Sequence, residues 1–276
     1  MMNNSWFNNK ICNLDDVRIS PLDFGFIHSD ATYDVLRTQD GKICFYNMHY
    51  ERFVKSCEFY SFKMPNKTLI EQTINQLLRQ TGYKDAFVWL CKWKGTPPSG
   101  SPRDMNAPEN FLIYVKPYYE ISDEPVSMTI CDDLPRAPGY QEYKNFSWVE
   151  LSRAQRFSGD DFDTALVRDT DGNISEGPGF GVCFVKDNEV YTPGDNVLPS
   201  ITIKVVEKMC DNLGIPFHRS TITNYNEFDE CFICSTSGGL TRVSNINDTA
   251  YRHDVTNKLR DEYDDICRYG WGDRRF

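Results

Sequence analysis

The sequence predicts a two-domain α/β (α+β) protein with a smaller N-terminal lobe and a larger C-terminal lobe. At 276 residues the chain reaches the length at which one hydrophobic core stops growing, roughly 250 to 300 residues. Segments with helical and with strand-like apolar spacing alternate along it. The polar stretch EISDEPVS interrupts this alternation near the middle. We therefore expect lobes of residues 1–120 and 121–276.

The N-terminal lobe is predicted to combine strands with two helices. Asp40-Gly41 separates two strand-like runs, as the turn of a β-hairpin does. A turn-rich connection, residues 95–110, joins the last two strands, and loops of that length are usually functional or mobile. The predicted elements are a strand near 17–20, helices at 47–62 and 68–80, and strands at 86–93 and 111–119.

The C-terminal lobe is predicted to be a sheet with helices between its strands. Its clearest helix covers 201–213 and ends at Gly214, a residue typical of helix C-termini. The other predicted elements are strands near 128–131, 164–168, 181–185, 189–192 and 231–234, and helices near 148–157 and 253–268.

The charge and hydropathy of the chain exclude several classes of partner. Lys and Arg total 30 against 40 Asp and Glu, and the net charge of -10 would repel nucleic acid and anionic membranes. No apolar run reaches the ~18 residues of a membrane helix, and the first segment lacks the apolar core of a signal peptide. We expect a cytoplasmic protein.

The 10 cysteines are scattered through apolar segments, which indicates reduced, buried thiols rather than a disulfide framework. Cys231 and Cys234 form a C-x-x-C pattern, but in a segment typical of a buried strand. A metal site would need a second pair or a nearby histidine. We expect no metal.

Lys144 and Glu176 each have two interpretations. Lys144 lies in GYQEYKNFSW, where Tyr143, Phe146 and Trp148 could shield an amine and favour its neutral, nucleophilic form. A lysine among aromatic residues is more often a surface residue whose stem packs on the rings. Glu176, in ISEGPGF, is either a functional acid or a solvated loop residue.

Two segments of the second lobe could bind an anion. LPSIT places Ser200 and Thr202 at the start of a helix, where free N–H groups and the helix dipole favour negative charge. An ordinary N-cap explains Ser200 equally well. STSGG, residues 235–239, either cradles a phosphate or forms a simple turn. The glycines after Glu176 precede a strand, so they are not a dinucleotide fingerprint.

Residues of the first lobe could complete a site. Arg52, in NMHYERF, would lie inside the first helix and could give phosphate a bidentate contact, or face solvent. Tyr33, in FIHSDATYDV, would face a cleft on an alternating strand, whereas His28 could be a core side chain. Together these residues offer an amine, an acid and hydrogen-bond donors for an anion. These are the groups that pyridoxal 5'-phosphate (PLP) chemistry needs.

The order of these residues resembles that of the fold-type IV PLP transaminases. This family includes branched-chain and D-amino acid transaminases, aminodeoxychorismate lyases and (R)-selective amine transaminases. The resemblance runs from about residue 17 to 248. It implies PLP as cofactor, a mixed or barrel-like sheet in the larger lobe, and a homodimer in which loops of one subunit complete the other's pocket. Four blocks carry it: DFGFIHSDATYDVLRTQDGKICFYNMHYERF, YKNFSWVELSR, ISEGPGFGVCFVKDNEVYTPGDNVLPSIT and CSTSGGLTRV.

The resemblance also implies roles for individual residues. Lys144 would form the Schiff base and move the proton, and Glu176 would hold the pyridine nitrogen. The expected phosphate ligands are Arg52, Ile201, Thr202, Thr236 and Ser237. The expected substrate-binding residues are Tyr33, Phe87, Trp89 and Trp148, with Arg103 of the long connection as a mobile ligand for a carboxylate.

HSDATYDV, KNFSW and SEGPGF are most similar to the (R)-selective amine transaminase branch. Four positions depart from the family pattern. Ser200 and Gly181 stand where Gly and Asn are usual, Trp89 is bulky for the pocket, and Val149 stands where many relatives carry a tyrosine. These departures put the fine geometry of the cofactor and the breadth of the substrate range in question.

We therefore expect a transaminase that moves an amino group from a primary (R)-amine or a D-configured amino acid to a keto acid such as pyruvate. Three alternatives stay open. One is a lyase of the aminodeoxychorismate lyase type, and the second is a branched-chain or D-amino acid transaminase. The third is a binding or scaffold protein that keeps the fold without catalysis.

Overall fold

The computed structural model describes residues 3–119 and 121–270, which form two compact units. Unit 1 ends at Tyr119 and also takes in Tyr143–Ser147. Unit 2 comprises residues 121–142 and 148–270. The segment that carries Lys144 therefore belongs to the first unit, although the chain on both sides of it belongs to the second. Among the described residues, no helix combines the length and the hydropathy that crossing a bilayer requires.

Unit 1 is built on a six-stranded antiparallel sheet. Its elements are β1 (Ser5–Phe7), β2 (Lys10–Cys12), α1 (Phe24–Ile27), β3 (Ala31–Gln39), β4 (Lys42–Ile43), α2 (Tyr46–Phe59), α3 (Lys67–Thr81), β5 (Ala86–Lys94) and β6 (Glu109–Pro117). The strand order is β2-β1-β6-β5-β3-β4, and every neighbouring pair is antiparallel. The helices α2 and α3 and the strands β5 and β6 lie where the sequence predicts them.

Local sequence explains these boundaries. Asp40 and Gly41 both have positive φ, 50° and 76°, which is the two-residue turn that joins β3 to β4. Asn66 begins α3 by accepting a hydrogen bond from the Leu69 N–H at 2.9 Å, and Gly82 ends it with a φ of 73°. One face of the sheet and the apolar faces of α2 and α3 share a core that includes Leu36, Phe53, Ile74, Val88 and Ile113.

The first 30 residues differ from the prediction. The strand expected near 17–20 is wrong, because the Val17 N–H closes a single 3-10 turn onto the Leu14 carbonyl oxygen at 3.1 Å and residues 17–20 take no regular secondary structure. The β1–β2 hairpin was not predicted, and its turn is Asn8-Asn9 with φ of 45° and 71°. His28 ends α1 and is exposed, so it is neither a strand residue nor a core side chain.

Unit 2 contains a mixed sheet with helices, as the predicted fold class requires. Its elements are β7 (Val126–Arg136), α4 (Val149–Ser158), β8 (Thr164–Asp169), β9 (Gly181–Lys186), β10 (Glu189–Pro193), α5 (Ile201–Leu213), β11 (Phe217–Ser220), β12 (Glu230–Ser235), β13 (Gly239–Ile246), β14 (Thr249–Ala250) and α6 (Asp254–Tyr269). The strand order is β11-β10-β9-β12-β13-β7-β8, with β14 paired to β13. The β10–β11, β13–β7 and β7–β8 pairs are parallel and the others antiparallel. The strands β11, β13 and β14 were not predicted.

All 10 cysteines are free thiols, as their distribution predicted. Cys231 and Cys234 both lie on β12, and residues three apart on a strand point to opposite faces. Cys234 Sγ lies 3.9 Å from Cys183 Sγ on the neighbouring β9. Within residues 3–119 and 121–270, no cluster of three His, Cys, Asp or Glu side chains could hold a metal ion.

Candidate active site

Lys144 lies on a segment that hydrogen bonds of unit 1 hold from two directions. The Thr32 hydroxyl of β3 donates to the Lys144 carbonyl oxygen at 2.6 Å, and the Lys144 N–H donates to Ser56 Oγ of α2 at 3.1 Å. Thr32 also forms an antiparallel bridge with Asn145. Because Thr32 and Ser56 are fully buried, the backbone beneath the lysine is fixed.

The Lys144 amine lies over an aromatic ring. Its Nζ is 4.5 Å from the centroid of the Tyr33 ring, whose face attracts a cation. Phe146 packs on the same ring with centroids 5.2 Å apart. Tyr143, which the sequence placed near the amine, stacks on Phe59 at 4.0 Å. Unit 1 therefore places an aromatic residue, Tyr33, next to the amine.

Tyr33, Phe87 and Trp89, three of the predicted substrate residues, share one face of the unit 1 sheet. Tyr33 lies directly opposite Cys91 of β5, and Phe87 and Trp89 occupy alternate positions of the same strand, so their side chains point to the same side. The Trp89 ring stacks on Tyr114 of β6 with centroids 5.0 Å apart. A cavity of about 330 Å³ with an apolar lining opens on this face beside Cys91 and Tyr114.

Arg37 lies on this face as well, and sequence reasoning missed it. It is directly opposite Phe87 and is 9% exposed. Its guanidinium donates to Gln39 Oε1 at 2.7 Å and lies 5.4 Å from the Tyr118 ring centroid. A buried arginine on this largely apolar face is a candidate ligand for a carboxylate. The alternating pattern of β3 could have drawn attention to it, since the pattern places Arg37 on the same side as Tyr33.

Arg52 does not face solvent, because it is buried against β3 from the α2 side. Its Nε donates to Asp34 Oδ2 and its Nη2 to Asp34 Oδ1, both at 2.8 Å. His49 Nδ1 lies 2.8 Å from the same Oδ1. Asp34 points to the sheet face opposite Tyr33, because the two are adjacent on one strand. Sequence reasoning did not identify this acid as the arginine's partner.

Burial and charge act in opposite directions within this group. Burial alone would raise the pKa of the Asp34 carboxyl, but the adjacent Arg52 and His49 outweigh it and hold that pKa well below its usual value. Burial lowers the pKa of His49, and Asp34 offsets this only in part. Arg52 is therefore held in one geometry by an ionised acid.

Arg103 lies on the long connection between β5 and β6, where its side chain is exposed. The turn around it is organised by Asp104, which accepts hydrogen bonds from the Ser99 hydroxyl at 2.7 Å and the Asn106 N–H at 3.0 Å. These bonds, that of Ser99 foremost, lower the pKa of Asp104 to about 2. The Arg103 side chain is therefore exposed on a turn whose backbone is held by hydrogen bonds.

Glu176 of unit 2 is 6% exposed, which excludes a solvated loop residue. Arg136, at the end of β7, donates Nη2 to Glu176 Oε1 at 2.6 Å. Backbone hydrogen bonds to Val167 of β8 hold the segment in place, from the Val167 N–H to the Glu176 carbonyl oxygen and from the Ser175 N–H to the Val167 carbonyl oxygen, both at 2.9 Å. Arg136 is a further residue that the sequence did not indicate.

The start of α5 combines a conventional cap with buried side chains. Ser200 Oγ accepts a hydrogen bond from the Ile203 N–H at 3.3 Å, so this departure from the family pattern acts as an N-cap. Ile201 and Thr202 follow and are buried. A Cβ at Gly181 would lie 2.6 Å from Ile203 Cδ1. The Ile203 side chain in the first turn of α5 therefore fills the space that a side chain at position 181 would need.

The turn after β12 carries Thr236 and Ser237, both half-buried. Ser235 Oγ accepts a hydrogen bond from the Gly238 N–H at 2.9 Å and lies 3.2 Å from Ser237 Oγ. Because β12 pairs with β9 up to Gly181, this turn and the start of α5 both lie next to the same end of β9. Unit 2 thus brings the two predicted phosphate segments together.

Trp148 directly precedes α4, and its carbonyl oxygen accepts the Ser152 N–H at 2.7 Å. Its ring lies 3.4 Å from the position that a Cβ at Gly179 would take, on the segment after Glu176. Val149, where relatives carry a tyrosine, is 67% exposed. Trp148 therefore packs beside the Glu176 segment, while Val149 contributes no hydroxyl.

The described residues supply the chemistry that PLP binding needs. Unit 1 offers the Lys144 amine and the buried Arg52, and unit 2 offers the Glu176 carboxylate, the N-terminus of α5 and the hydroxyl-rich turn. Gly181 has no side chain, which lets Ile203 in the first turn of α5 pack against the start of β9. These groups match an aldehyde, a pyridine nitrogen and a phosphate in type and charge.

Comparison with known proteins agrees with this donor set. The chain is 25% identical over 283 residues to a putative branched-chain-amino-acid aminotransferase of Methanocaldococcus jannaschii, covering 97% of both chains. It is 23% identical over 264 residues to a D-alanine aminotransferase of Staphylococcus epidermidis, covering 89% of this chain and 90% of the relative. The crystal structure of a branched-chain aminotransferase from Thermoproteus uzoniensis has the same fold, with a TM-score of 0.91, 18% identity and coverage of 99% and 97%.

The family assignment rests on a match to the family as a whole rather than on any one of these pairs. Residues 31–246 match the family described as amino-transferase class IV, a range that extends from the start of β3 to the end of β13. That range includes Lys144, Glu176 and both phosphate segments. The chain therefore belongs to the class IV amino-transferases, enzymes of fold type IV that use pyridoxal 5'-phosphate.

Proposed function

We propose that this aminotransferase moves an amino group from a D-configured amino acid or a primary (R)-amine to a keto acid such as pyruvate. The observation that carries the proposal is the position of Lys144. Hydrogen bonds with Thr32 and Ser56 hold its backbone, and its amine lies over the Tyr33 ring. The preference for (R)-amines or D-amino acids rests on the HSDATYDV, KNFSW and SEGPGF segments.

Bound PLP supplies an electron sink that makes a hydrogen on the amine-bearing carbon acidic. Lys144 Nζ would bind the cofactor and carry the proton to and from that carbon. The fixed backbone of the lysine serves this step, because a proton carrier must return to the same place in each half-reaction.

The remaining residues would bind and orient. Glu176 would hold the proton of the pyridine nitrogen, and Arg136 fixes the direction of that carboxylate. The start of α5, the turn with Thr236 and Ser237, and Arg52 would bind the phosphate. The face with Tyr33, Phe87 and Trp89 would exclude water from an apolar substituent.

Arg37 and Arg103 support a substrate that carries a carboxylate. Arg37 is a buried cation on the proposed substrate face, and Arg103 is an exposed cation on the long β5–β6 connection of the same unit. A guanidinium can bind a carboxylate through two parallel hydrogen bonds, which makes each arginine a suitable partner for one. Both arginines would serve a keto acid acceptor in every branch of the family.

A second candidate is transamination of branched-chain L-amino acids. Similarity to the branched-chain aminotransferases of M. jannaschii and T. uzoniensis favours it, whereas similarity to the D-alanine aminotransferase of S. epidermidis favours a D-amino acid. A lyase that releases its product without an amino acceptor is a third possibility within the same cofactor chemistry.

One substrate panel separates these functions. Purified holoenzyme is supplied with pyruvate or 2-oxoglutarate and with (R)-amines, (S)-amines, D-alanine or branched L-amino acids. We expect amino transfer from D-alanine or an (R)-amine and none without a keto acid. Reaction of branched L-amino acids alone would refute the proposed branch, and turnover without an acceptor would identify a lyase.

The proposal includes a homodimer in the cytoplasm. Exposed apolar side chains support the dimer, because monomeric proteins rarely expose a contiguous apolar patch. Ile19, Leu22 and Phe26 are 52%, 61% and 70% exposed, and Ile19 and Phe26 line the apolar cavity of unit 1. Light scattering of the purified protein would give twice the mass of one chain.

A further inference from the structure

A buried arginine in unit 2 lies between two carboxylates. Arg136 Nη2 is 2.6 Å from Glu176 Oε1, and Arg136 Nη1 is 3.8 Å from Glu150 Oε2. Glu150 lies in the first turn of α4, and Tyr140 donates its hydroxyl to Glu150 Oε1 at 3.4 Å. The first pair is a short hydrogen bond, whereas the second is an ion pair without a hydrogen bond.

Stability does not explain why Glu150 is an acid. The residue is 7% exposed, and within the described ranges its Oε2 has no hydrogen-bond partner. A buried carboxylate oxygen without a hydrogen bond costs free energy of folding. The helix dipole stabilises an acid in the first turn of a helix, and this gain offsets part of that cost.

The other acid close to Arg136 in the sheet is already engaged. Asp169 of β8 lies in register with Arg136. Its Oδ1 accepts the N–H groups of Asp171 and Asn173 at 3.0 and 2.9 Å, and its Oδ2 lies 3.4 Å from the Asn196 amide. Glu150 and Glu176 are therefore the two carboxylates that share the guanidinium.

We propose that Glu150 is a positioning residue that acts through Arg136 to keep Glu176 negative enough to hold a proton on the ring nitrogen of PLP. Arg136 alone would fix the direction of Glu176 but would also cancel its charge. With Glu150 the group carries one net negative charge, which is the complement of a protonated pyridine nitrogen. This inference rests on the proposed function, because it concerns the same cofactor site.

The test measures the proton on the ring directly. Holoenzyme is reconstituted with PLP labelled with ¹⁵N in the ring, and the nitrogen resonance is followed against pH. Glu150→Gln should lower the proton affinity of the nitrogen on the order of tenfold. Glu150 acts through Arg136 rather than by direct contact, so we expect a pKa shift at the low end of the range for nearby charges, about one unit. Glu150→Asp, which keeps the charge, should stay near the wild type.

Asp133→Asn is the matched control. It removes one carboxylate from an exposed pair with Arg153 in the same unit, and we expect no change in the nitrogen titration. Unfolding by urea is measured for every variant. Glu150→Gln should be at least as stable as the wild type, because an amide costs less to bury than a carboxylate.

Two results would overturn the inference. One is an unchanged nitrogen titration in Glu150→Gln. The other is an unchanged nitrogen titration in Glu150→Leu together with a loss of stability in Glu150→Gln, which would give Glu150 a structural role alone. Glu150→Leu also supplies the titration if Glu150→Gln does not fold. The proposed function fails separately, when the wild-type protein binds no PLP or transfers no amino group.

Discussion

Arg52 donates two parallel hydrogen bonds to the Asp34 carboxylate, from Nε to Oδ2 and from Nη2 to Oδ1, each 2.8 Å long. Both side chains are buried, with exposures of 7% and 0%. The pair joins α2 to β3, the strand that also carries Thr32 and Tyr33 beside Lys144. A proposed phosphate ligand is therefore fixed in direction by an acid on the strand that positions the lysine.

Replacing Asp34 by Asn should strongly destabilise the protein. The substitution leaves Arg52 as a buried cation without its ion-pair partner, which typically costs about 3 to 5 kcal/mol. Urea unfolding of the cofactor-free protein at neutral pH measures the change. Glu51→Gln, an exposed position of α2, is the matched control and should change the free energy of unfolding by less than about 0.5 kcal/mol. Equal stabilities of the two variants would contradict this role of the pair.

The same variant should change the response to acid. Arg52 and His49 overcome the effect of burial and depress the pKa of Asp34. The ionised Asp34 therefore makes its full contribution to the free energy of unfolding at every pH above the ordinary aspartate pKa of about 3.9. That contribution is lost only as the pH falls from there toward the lower folded value. The stability difference between wild type and Asp34→Asn should therefore shrink only below about pH 4. A difference that already shrinks at pH 6 would refute this assignment.

Gly181 and Ile203 should be energetically coupled. A Cβ at Gly181 would lie 2.6 Å from Ile203 Cδ1, and Ile203→Val removes that methyl group. We expect Gly181→Ala to cost about 1 kcal/mol or more through overpacking in the wild type and less in the Ile203→Val background. A double-mutant cycle by urea unfolding measures the coupling. Additive effects would show that the first turn of α5 does not depend on the small residue at position 181.

Helix ends and tight turns could be predicted because their signals are local. Ser200 and Gly214 bound α5 where the sequence placed its ends, and α3 extends one residue beyond the predicted 68–80 at each end, between Asn66 and Gly82. The Asn8-Asn9 turn had an equally local signal, since asparagine tolerates positive φ, but its flanking strands have only three residues each. Strands that short have no readable alternation.

The order of chemical groups identified the family, but their partners could not be predicted. Asp34 meets Arg52, and Arg136 meets both Glu150 and Glu176, only after strands and helices have packed. No fixed spacing along the chain relates these residues. For such pairs the signal lies in the fold rather than in the sequence.

Arg103 should affect the keto acid more than the amine. If its exposed guanidinium binds the substrate carboxylate, Arg103→Gln should raise KM for pyruvate about tenfold and leave kcat nearly unchanged, since a contact made equally in ground and transition states alters binding alone. KM for an (R)-amine without a carboxylate should not change. Arg79→Gln, an exposed arginine of α3, serves as the control. An unchanged KM for pyruvate would leave Arg37 as the candidate ligand.

Borohydride reduction of the holoenzyme, followed by peptide mass spectrometry, tests the assignment of Lys144 most directly. Reduction converts the link between lysine and cofactor into a stable one, so the modified residue can be located. We predict a phosphopyridoxyl group on the peptide that contains Lys144, and its absence in Lys144→Ala together with loss of turnover. A label on another lysine such as Lys92, or an active Lys144→Ala variant without added amine, would contradict the account.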